Sequence, residues 1–482
     1  MQKKLLFTLV CSLSVFMAFG QKYLEIGDKR ELFVDDYLID ILHNVRIVMH
    51  HPVDEGVAFQ LDELWEGKFS TYSTIIRDGD LFRAYYRGTP IAADGGSREV
   101  TCYAESEDGI HWVKPKLRLY EINGSFGNNV VLANAAPANH NFSPFLDANP
   151  NAAPDQRYKA LGGIRSTGLI GYVSPDGIHW RKLQENSLIH NLNFNSQNIL
   201  NIFDSQNVAF WSESEQCYLC YFRIYTNIRT IARTTSTDFI HWTEPVVMTF
   251  GDTPMEDLYT NQTAPYFRAP HIYIAIGGRF MPDRRALTDE DILELNLESW
   301  LSKDCSDAFL MSSRGGNVYD RTFMESFIRP GIGKENWVSR SNYPALNVVQ
   351  TGSAEMSVYV NQDYGQSTAH LRRYSLRLDG FASLAAPYKG GEAITKFFTF
   401  SGSELEINYS TSAAGEIRFE IQDTNGKPVS GFMLEDSQTI IGNEIARVVR
   451  WKNGKSLKEL TGKPVRLRIV MKDADLYSIR FR

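Results

Sequence analysis

Short runs of alternating apolar and polar residues follow one another along almost the whole chain, separated by turns rich in glycine, proline and asparagine. An alternation with a period of two is typical of strands that bury one face. Residues 287–301 instead carry apolar residues at helical spacing, and Thr288 followed by Asp291 predicts a capped helix start. The pattern therefore predicts an all-β protein with one inserted helix.

Three heptads of nearly the same sequence recur within this pattern. They begin at Ser106, Ser174 and Ser236 and read Ser-x-Asp-Gly-Ile-His-Trp, with Phe in place of Gly in the third. Weaker echoes begin at Ser312 and Ser375. An Asp-Gly pair makes a tight turn onto which the tryptophan can pack, so each heptad marks the outer hairpin of a repeated unit. Five such units, with room for four strands in each, predict a five-bladed β-propeller.

Further strands are predicted before the first repeated unit and after the last one. Residues 21–387 are assigned to the propeller, and segments 30–40 and 45–53 are expected to form strands before the first blade. One of them could complete the last blade, because a closed propeller must not leave a free sheet edge. Residues 388–482 lack the heptad but keep short alternating strands. This region predicts a C-terminal β-sandwich.

The amino terminus is expected to be an export signal. Lys3 and Lys4 precede an apolar run over residues 5–19, as in a cleaved signal peptide spanning residues 1–20. The run is too short to predict a membrane span, and no second long apolar run follows it. We therefore expect a periplasmic or secreted protein without a membrane span.

Composition narrows the range of partners. With 50 basic and 57 acidic residues, the net charge of −7 disfavours nucleic acid as a partner. Cys217 and Cys220 mimic a CxxC motif, but residues three apart on a strand face opposite sides, so ordinary buried cysteines are expected. No cofactor is predicted, although a structural calcium ion on the propeller axis stays open. The oligomeric state also stays open.

Candidate site residues follow from propeller geometry. Inner strands begin, and the next strands end, around one mouth of the axis, so residues at these positions should converge. Three carboxylates meet this rule: Asp204 and Glu355 as the first choice for a catalytic pair, and Glu66 as a third. Carboxyl groups that share a site have separated pKa values and can serve as acid and base, as glycoside hydrolysis requires. The alternative is a lattice of ion pairs with nearby arginines.

The same rule selects residues that could bind substrate. They are Arg87, His140, Asn141, Arg165, Arg223, Tyr259, Asn261 and Arg279. Four arginines at matching positions favour an anionic sugar, uronic or sulfated, because guanidinium groups bind carboxylate and sulfate with two parallel hydrogen bonds. They could equally well orient the catalytic acids.

The heptads, the five units and the trailing sandwich resemble the five-bladed propeller glycoside hydrolases of families 32, 43 and 68. The chain is most similar to exported bacterial proteins described as family 32-like. The segments that carry this likeness are ELFVDDYLI (31–39), FDSQN (203–207), RLDGF (377–381) and KDADLYS (472–478). The invertase motifs for the nucleophile, the transition-state stabiliser and the acid are absent, with Trp65-Glu66-Gly67 roughly where the first would stand. The resemblance therefore implies glycosidase chemistry but assigns no residue.

The sequence thus predicts an exported glycoside hydrolase that acts on oligosaccharides derived from polysaccharides. Two other classes stay open. One is a glycan-binding propeller without catalysis. The other is a polysaccharide lyase, in which His140 or Tyr259 would act as the base beside an arginine that neutralises a uronate.

Overall fold

A computed structural model describes residues 23–91, 95–190, 202–452 and 454–482. The predicted signal peptide at residues 1–20 lies outside the described residues. Strands dominate the described chain, and they build a five-bladed β-propeller followed by strands consistent with a β-sandwich. The predicted fold class is confirmed. No helix in the described ranges is long and apolar enough to span a membrane.

Five strands precede the blades: β1 (Leu24–Gly27), β2 (Arg30–Leu32), β3 (Ile39–His43), β4 (Arg46–Met49) and β5 (Val53–Gln60). The first blade contains β6 (Thr71–Asp78), β7 (Leu81–Gly88), β8 (Val100–Ser106) and β9 (Val130–Leu132). The second contains β10 (Ser143–Leu146), β11 (Tyr158–Gly162), β12 (Ile170–Ser174) and β13 (Arg181–Lys182). The third contains β14 (Val208–Ser212), β15 (Cys217–Tyr225), β16 (Arg229–Ser236) and β17 (Val246–Val247).

The fourth blade contains β18 (Thr263–Tyr266), β19 (Ala269–Met281) and β20 (Cys305–Ser313), with helix α1 (Asp289–Glu294) inserted before β20. The fifth contains β21 (Tyr343–Pro344), β22 (Val349–Gln350), β23 (Glu355–Gln362) and β24 (His370–Arg377). The C-terminal strands are β25 (Ala382–Ala386), β26 (Gly391–Thr395), β27 (Phe398–Phe400), β28 (Leu405–Gln422), β29 (Asn443–Val449) and β30 (Arg466–Phe481). Short 3₁₀ turns lie at Ala138–His140, Pro154–Gln156, Ser299–Ser302, Lys334–Trp337 and Leu457–Leu460.

An amino-terminal strand closes the propeller. Strand β5 pairs antiparallel with β24, and Phe59 lies opposite Leu371. It begins where the second predicted amino-terminal segment, 45–53, ends. The first and last blades are also joined at the axis, where the N–H of Ile75 donates to the carbonyl of Leu346 over 3.0 Å. Closure therefore leaves no free edge between the first and fifth blades.

The strands before β5 join the C-terminal sheet instead of the propeller. Strand β4 pairs with β25, β2 with β30 and β3 with β26, and β1 pairs with β27 in a separate two-stranded sheet. The predicted propeller range of 21–387 includes β1 to β4, whereas in the structure these four strands pair with C-terminal strands. The difference arises because strand pairing in a sheet is not local, so sequence adjacency does not predict it.

The sandwich core lies on the two longest strands. Each of them, β28 and β30, covers two of the short strands that the sequence predicts, because the chain continues through a bulge. The register of this pair shifts between Thr411 and Glu416. Ile407 and Phe419 of β28 and Leu467 of β30 are fully buried in the core.

The heptads form the predicted turns. Oδ1 of Asp108 accepts from the N–H groups of Ile110 and His111 at 2.7 and 2.8 Å, and the His111 ring lies 2.7 Å from Oδ2. Gly109 sits at φ 74°, where a side chain would be strained. In the third heptad Phe239 takes this conformation at φ 67° and is fully buried. Burial of its ring offsets the backbone strain.

The inserted helix is shorter than predicted. Thr288 and Asp291 form the expected capping box, but α1 ends at Glu294, with Leu295 as its C-cap, instead of continuing to residue 301. Asn296, at φ 50°, leaves the helical conformation and stops the helix.

Candidate functional site

Eight residues from four of the five blades surround a small cavity at one mouth of the axis, which we call the axial bowl. They are Thr71, Tyr72, Arg87, Asp204, Tyr259, Arg340, Tyr343 and Tyr364. The cavity volume is ≈ 10 Å³, which is room for about one water molecule. A sugar ring would therefore lie above the bowl, and only a single oxygen atom of a substituent could enter it.

Asp204 supplies the carboxylate of the bowl. It follows Phe203, whose φ is 63°, and its side chain is 40% exposed. It forms an ion pair with Arg223, which is 3% exposed and lies 4.2 Å from the centre of the Tyr259 ring. Nη1 of Arg223 is buried and has no hydrogen-bond partner among the described residues. The guanidinium is thus enclosed between the Tyr259 phenol and the accessible carboxylate of Asp204.

Arg87 and His140 form the opposite wall. Nη1 of Arg87 lies 3.0 Å from Nδ1 of His140, and its Nη2 donates to the carbonyl of Phe69 over 3.0 Å. Oε1 of Glu99 lies 2.9 Å from Nδ1 of His140 and 3.9 Å from Arg87. Arg87 also lies 4.8 Å from the centre of the Tyr72 ring. The predicted pair Arg87 and His140 therefore meets at the bowl, with Glu99 as its buried counterion.

Arg340 has no carboxylate within ion-pair distance in the described part of the chain. Its guanidinium packs between the rings of Trp300 and Tyr259, at 5.1 and 5.8 Å from their centres. Its φ of 62° is uncommon outside glycine and costs backbone energy. An arginine held this way adds an uncompensated positive charge to the bowl.

Asp304 is a carboxyl group that does not line the bowl but lies near two residues that do, Arg340 and Tyr343. Burial raises its pKa, against the lowering effects of a hydrogen bond with Ser339 and of the charge on Arg340. Its charge in turn contributes to raising the pKa of Tyr343, which is mainly raised by burial. Asp304 is therefore electrostatically linked to the wall that carries Arg340 and Tyr343.

The tyrosines of the bowl are hydrogen-bond donors more readily than bases. Burial raises the pKa of Tyr72 well above its usual range, with a further contribution from Tyr259. Burial does the same to Tyr343. Their hydroxyl groups therefore stay protonated at neutral pH.

A polar plug closes the axis below the bowl. Nε2 of Gln206 donates to Oγ1 of Thr74 over 2.8 Å, and Nε2 of Gln262 donates to Oε1 of Gln206 over 2.7 Å. Calcium prefers six to eight oxygen ligands, several of them carboxylates. The plug offers amides and hydroxyls, of which Oε1 of Gln262 is buried without a partner, and the described residues contain no cluster of His, Cys, Asp and Glu suited to a metal. A structural calcium ion on the axis stays an open expectation.

Glu66 and Glu355 lie away from the bowl. Glu66 is fully buried, accepts from the Tyr86 hydroxyl over 2.6 Å and pairs with Lys114 at 2.7 Å. Glu355 starts β23, which reaches the bowl only at its other end, roughly 23 Å further along the strand. The inner strand of the fifth blade begins at Tyr343 instead. The sequence predicts β23 as the inner strand, but β23 is the second strand of the blade and runs antiparallel to the inner one. The predicted bowl end of β23 is therefore the end far from the bowl.

Four other predicted residues do not line the bowl. Asn141 is fully buried, and its amide bonds to the backbone of Gly163, Phe203 and Ser205. Arg279 pairs with Asp307 and Glu256. Arg165 is exposed on a turn. Asn261 lies at the start of the inner strand of the fourth blade, where its Oδ1 accepts from the N–H of Thr263 and its buried Nδ2 lacks a partner among the described residues.

Sequence reasoning missed most of the bowl's aromatic and basic residues. Tyr72 lies in the predicted inner strand of the first blade, but the prediction selected Glu66, before that strand, as the residue that faces the bowl. Tyr343 and Arg340 were missed because the segment before residue 355 was not recognised as a strand. A signal was available, since Asn342-Tyr343-Pro344 resembles the Asn261 to Pro265 segment that opens the inner strand of the fourth blade.

Comparisons with known proteins return structures but no family. No protein-family model matches the chain, and no curated protein matches its sequence. A glycoside hydrolase is 10% identical, with a TM-score of 0.45 over 68% of this chain and 92% of that chain. An N-acetylgalactosamine deacetylase from F. plautii, in complex with blood group B trisaccharide, is 13% identical, with a TM-score of 0.44 over 70% and 96%.

A fructofuranosidase from Schwanniomyces occidentalis, in complex with fructosylnystose, covers more of the chain. It is 12% identical, with a TM-score of 0.37 over 89% of this chain and 96% of that chain. At such identities and TM-scores no activity follows for this chain. The propeller assignment rests on the chain's own strand pairing.

Proposed function

We propose that this protein is an exported glycoside hydrolase that cleaves glycosidic bonds next to an anionic sugar, with Asp204 at the centre of the reaction. The observation that carries the proposal is the accessible carboxylate of Asp204 beside a one-water cavity walled by guanidinium and phenol groups. Export rests on the sequence of the amino terminus.

Charge favours an anionic substrate. Arg223 is balanced by Asp204 and Arg87 by Glu99, whereas Arg340 has no ion pair among the described residues. The excess positive charge suits a uronate or a sulfate ester, since guanidinium groups bind both with two parallel hydrogen bonds.

Two carboxyl groups in different environments could divide the acid and base roles. Asp204 is stabilised as a carboxylate by Arg223, which suits a base or a nucleophile. Asp304, whose pKa is raised by burial, suits the acid that protonates the leaving oxygen. Asp204 lines the bowl, and Asp304 lies close enough to Arg340 and Tyr343 of the bowl for their charges to interact.

The test is release of reducing ends from a panel of neutral, uronic and sulfated oligosaccharides. We expect release from an anionic member by the wild type and a loss of about 10²-fold or more in Asp204→Asn. Glu355→Gln is the matched control, because that carboxylate lies at the far end of β23 and should leave release within about twofold of the wild type. Equal losses in both variants would contradict the assignment of the bowl.

A panel sugar that binds all three proteins without being cleaved would identify the bowl as a lectin site and overturn the hydrolase proposal. The products formed in the same assay distinguish a hydrolase from a lyase, which is the second candidate function. The observation in its favour is that Asp204 is the single carboxylate among the residues lining the cavity, beside several tyrosines and arginines. Elimination leaves an unsaturated sugar that absorbs in the ultraviolet, whereas hydrolysis does not.

A further inference from the structure

A second, larger cavity opens at the opposite mouth of the propeller axis. Every blade contributes a residue to it: Ile75, Phe145, Trp211, Ala264 and Val348, in blade order. We call it the lower cavity. Its volume is ≈ 420 Å³, which lies within the range typical of small-molecule sites. The Gln206–Gln262 plug, whose residues are 0% and 3% exposed, separates it from the axial bowl.

The lining of the lower cavity is almost uncharged. Among its described residues Arg77 alone carries a charge, and two of its nitrogen atoms already donate to backbone carbonyls. These are Nε and Nη1, which donate to Gly79 and Gln350, each over 3.2 Å, and the guanidinium lies 5.3 Å from the centre of the Phe82 ring. A cationic ligand would therefore lose its hydration here without gaining a counterion from the lining.

The lining also offers few hydrogen-bond partners to a sugar. Besides Arg77, its polar groups are the side chains of Thr263, Asn347 and Gln350 and the indole N–H of Trp211, and the amide nitrogens of Asn347 and Gln350 already donate to backbone carbonyls. Each sugar hydroxyl buried without a partner would cost about 1–3 kcal/mol. Apolar rings, in contrast, would gain from contact with Phe145 and Trp211. The two mouths of the axis thus have opposite chemistries.

We infer that the lower cavity is a second binding site, for a neutral and mainly apolar ring compound. Phe267, which is 40% exposed, and the exposed Ala148 stand at its mouth, so a ligand can enter without unfolding the blades. The inference is independent of the chemistry proposed for the bowl, because the plug lies between the two sites.

Fluorescence titration of the full chain with N-phenyl-1-naphthylamine, an uncharged aromatic probe, tests this inference. We expect a saturable rise in fluorescence with one site per chain. Val348→Asp places a charge in the cavity wall and should weaken binding at least about tenfold. Val246→Asp, on the exposed outer strand of the third blade, is the matched control and should bind like the wild type.

Absence of a saturable signal from the wild type overturns the inference. Unchanged affinity in Val348→Asp, with its fold verified by circular dichroism, also overturns it. If Val348→Asp does not fold, Ala148→Trp replaces it, because that residue narrows the mouth from an exposed loop. A loss of affinity in Ala148→Trp then supports the site, and wild-type affinity overturns it.

Discussion

Polar side chains near the axis differ in whether the fold itself uses all their hydrogen bonds. The Asn141 amide bonds to the backbone of two blades, so it fastens the second blade to the third. Arg340, by contrast, touches only rings and lacks an ion pair among the described residues. The first pattern indicates a structural role, and the second indicates that a ligand completes the contacts.

Replacement of Asn141 by alanine should lower stability rather than alter the site directly. It removes the acceptor of the Gly163 N–H and the donor to the Gly163 carbonyl, both buried, at a cost of about 2–4 kcal/mol in total. Urea unfolding of the wild type and the variant measures the difference. A variant with unchanged stability but a raised KM would instead identify Asn141 as a substrate-binding residue.

Arg340→Gln should change selectivity. We expect release from an anionic oligosaccharide to fall by about 10²-fold in kcat/KM, because a charged hydrogen bond to the substrate contributes about 1.5–3 kcal/mol. Release from a neutral counterpart should change little. Arg165→Gln is the control, since that arginine is exposed on a turn outside the bowl. Equal losses of kcat/KM on both substrates would show that Arg340 supports the structure of the bowl without recognising the negative charge of the substrate.

At the scale of elements, each of the three heptads forms a turn whose hydrogen bonds keep its own aspartate in the charged form. In Asp176 burial acts to raise the pKa, but hydrogen bonds from the N–H groups of His179 and Ile178 and from the His179 ring hold it well below its usual range. The same bonds occur in the other two turns. Each turn therefore stabilises the fold most when its aspartate is ionised.

The pH dependence of Asp176→Asn follows from this lowered pKa. Because the folded pKa lies below the unfolded value of about 3.9, the aspartate's contribution is fully present above that pH and is lost as the pH falls further. The wild type should exceed the variant in Tm at pH 7, and the gap should shrink at pH 3. Thermal melts at both pH values measure it. Asp155→Asn, an exposed surface pair with Arg181, is the control and should show little gap at either pH.

At the scale of the whole molecule, the propeller and the C-terminal strands share buried polar contacts. Asp379, fully buried, accepts from the hydroxyls of Tyr266 in the fourth blade and Ser478 in the last strand. Arg268 approaches it to 3.1 Å and Arg30 to 3.6 Å. In a second contact Arg314, which follows the fourth blade, pairs with Glu31 and Asp35 at 2.7 Å each. Three of the four segments that carry the family likeness therefore supply residues to the contacts between the two units.

Truncation tests whether the propeller folds alone. A chain ending at Pro387 keeps β1 to β4 but removes the partner strands of β1, β2 and β3, which exposes the buried Leu32 and Leu38. We expect it to aggregate and to lack a cooperative melt. A chain of residues 51–387, which also lacks those four strands, should be more soluble in size-exclusion chromatography. A cooperative melt near the wild-type Tm for the chain that ends at Pro387 and keeps β1 to β4 would contradict this reasoning.

Local chemistry was readable from the sequence alone. The Asp-Gly turns, the number of blades and the Thr288 capping box depend on residues within a few positions of each other, so the sequence determined them. Asp204, Arg223 and Tyr259 were also found, because each stands beside a strand whose place in its blade was recognised.

Tertiary structure decided which residues meet. The positions of Glu66 and Glu355 depend on which strand lies innermost in a blade, and that order is set by pairing between distant segments. The same holds for β1 to β4, which cross to the C-terminal sheet, and for Arg340, which reaches the bowl from an irregular loop. The lower cavity likewise exists only when all five inner strands converge, so no single stretch of sequence encodes it.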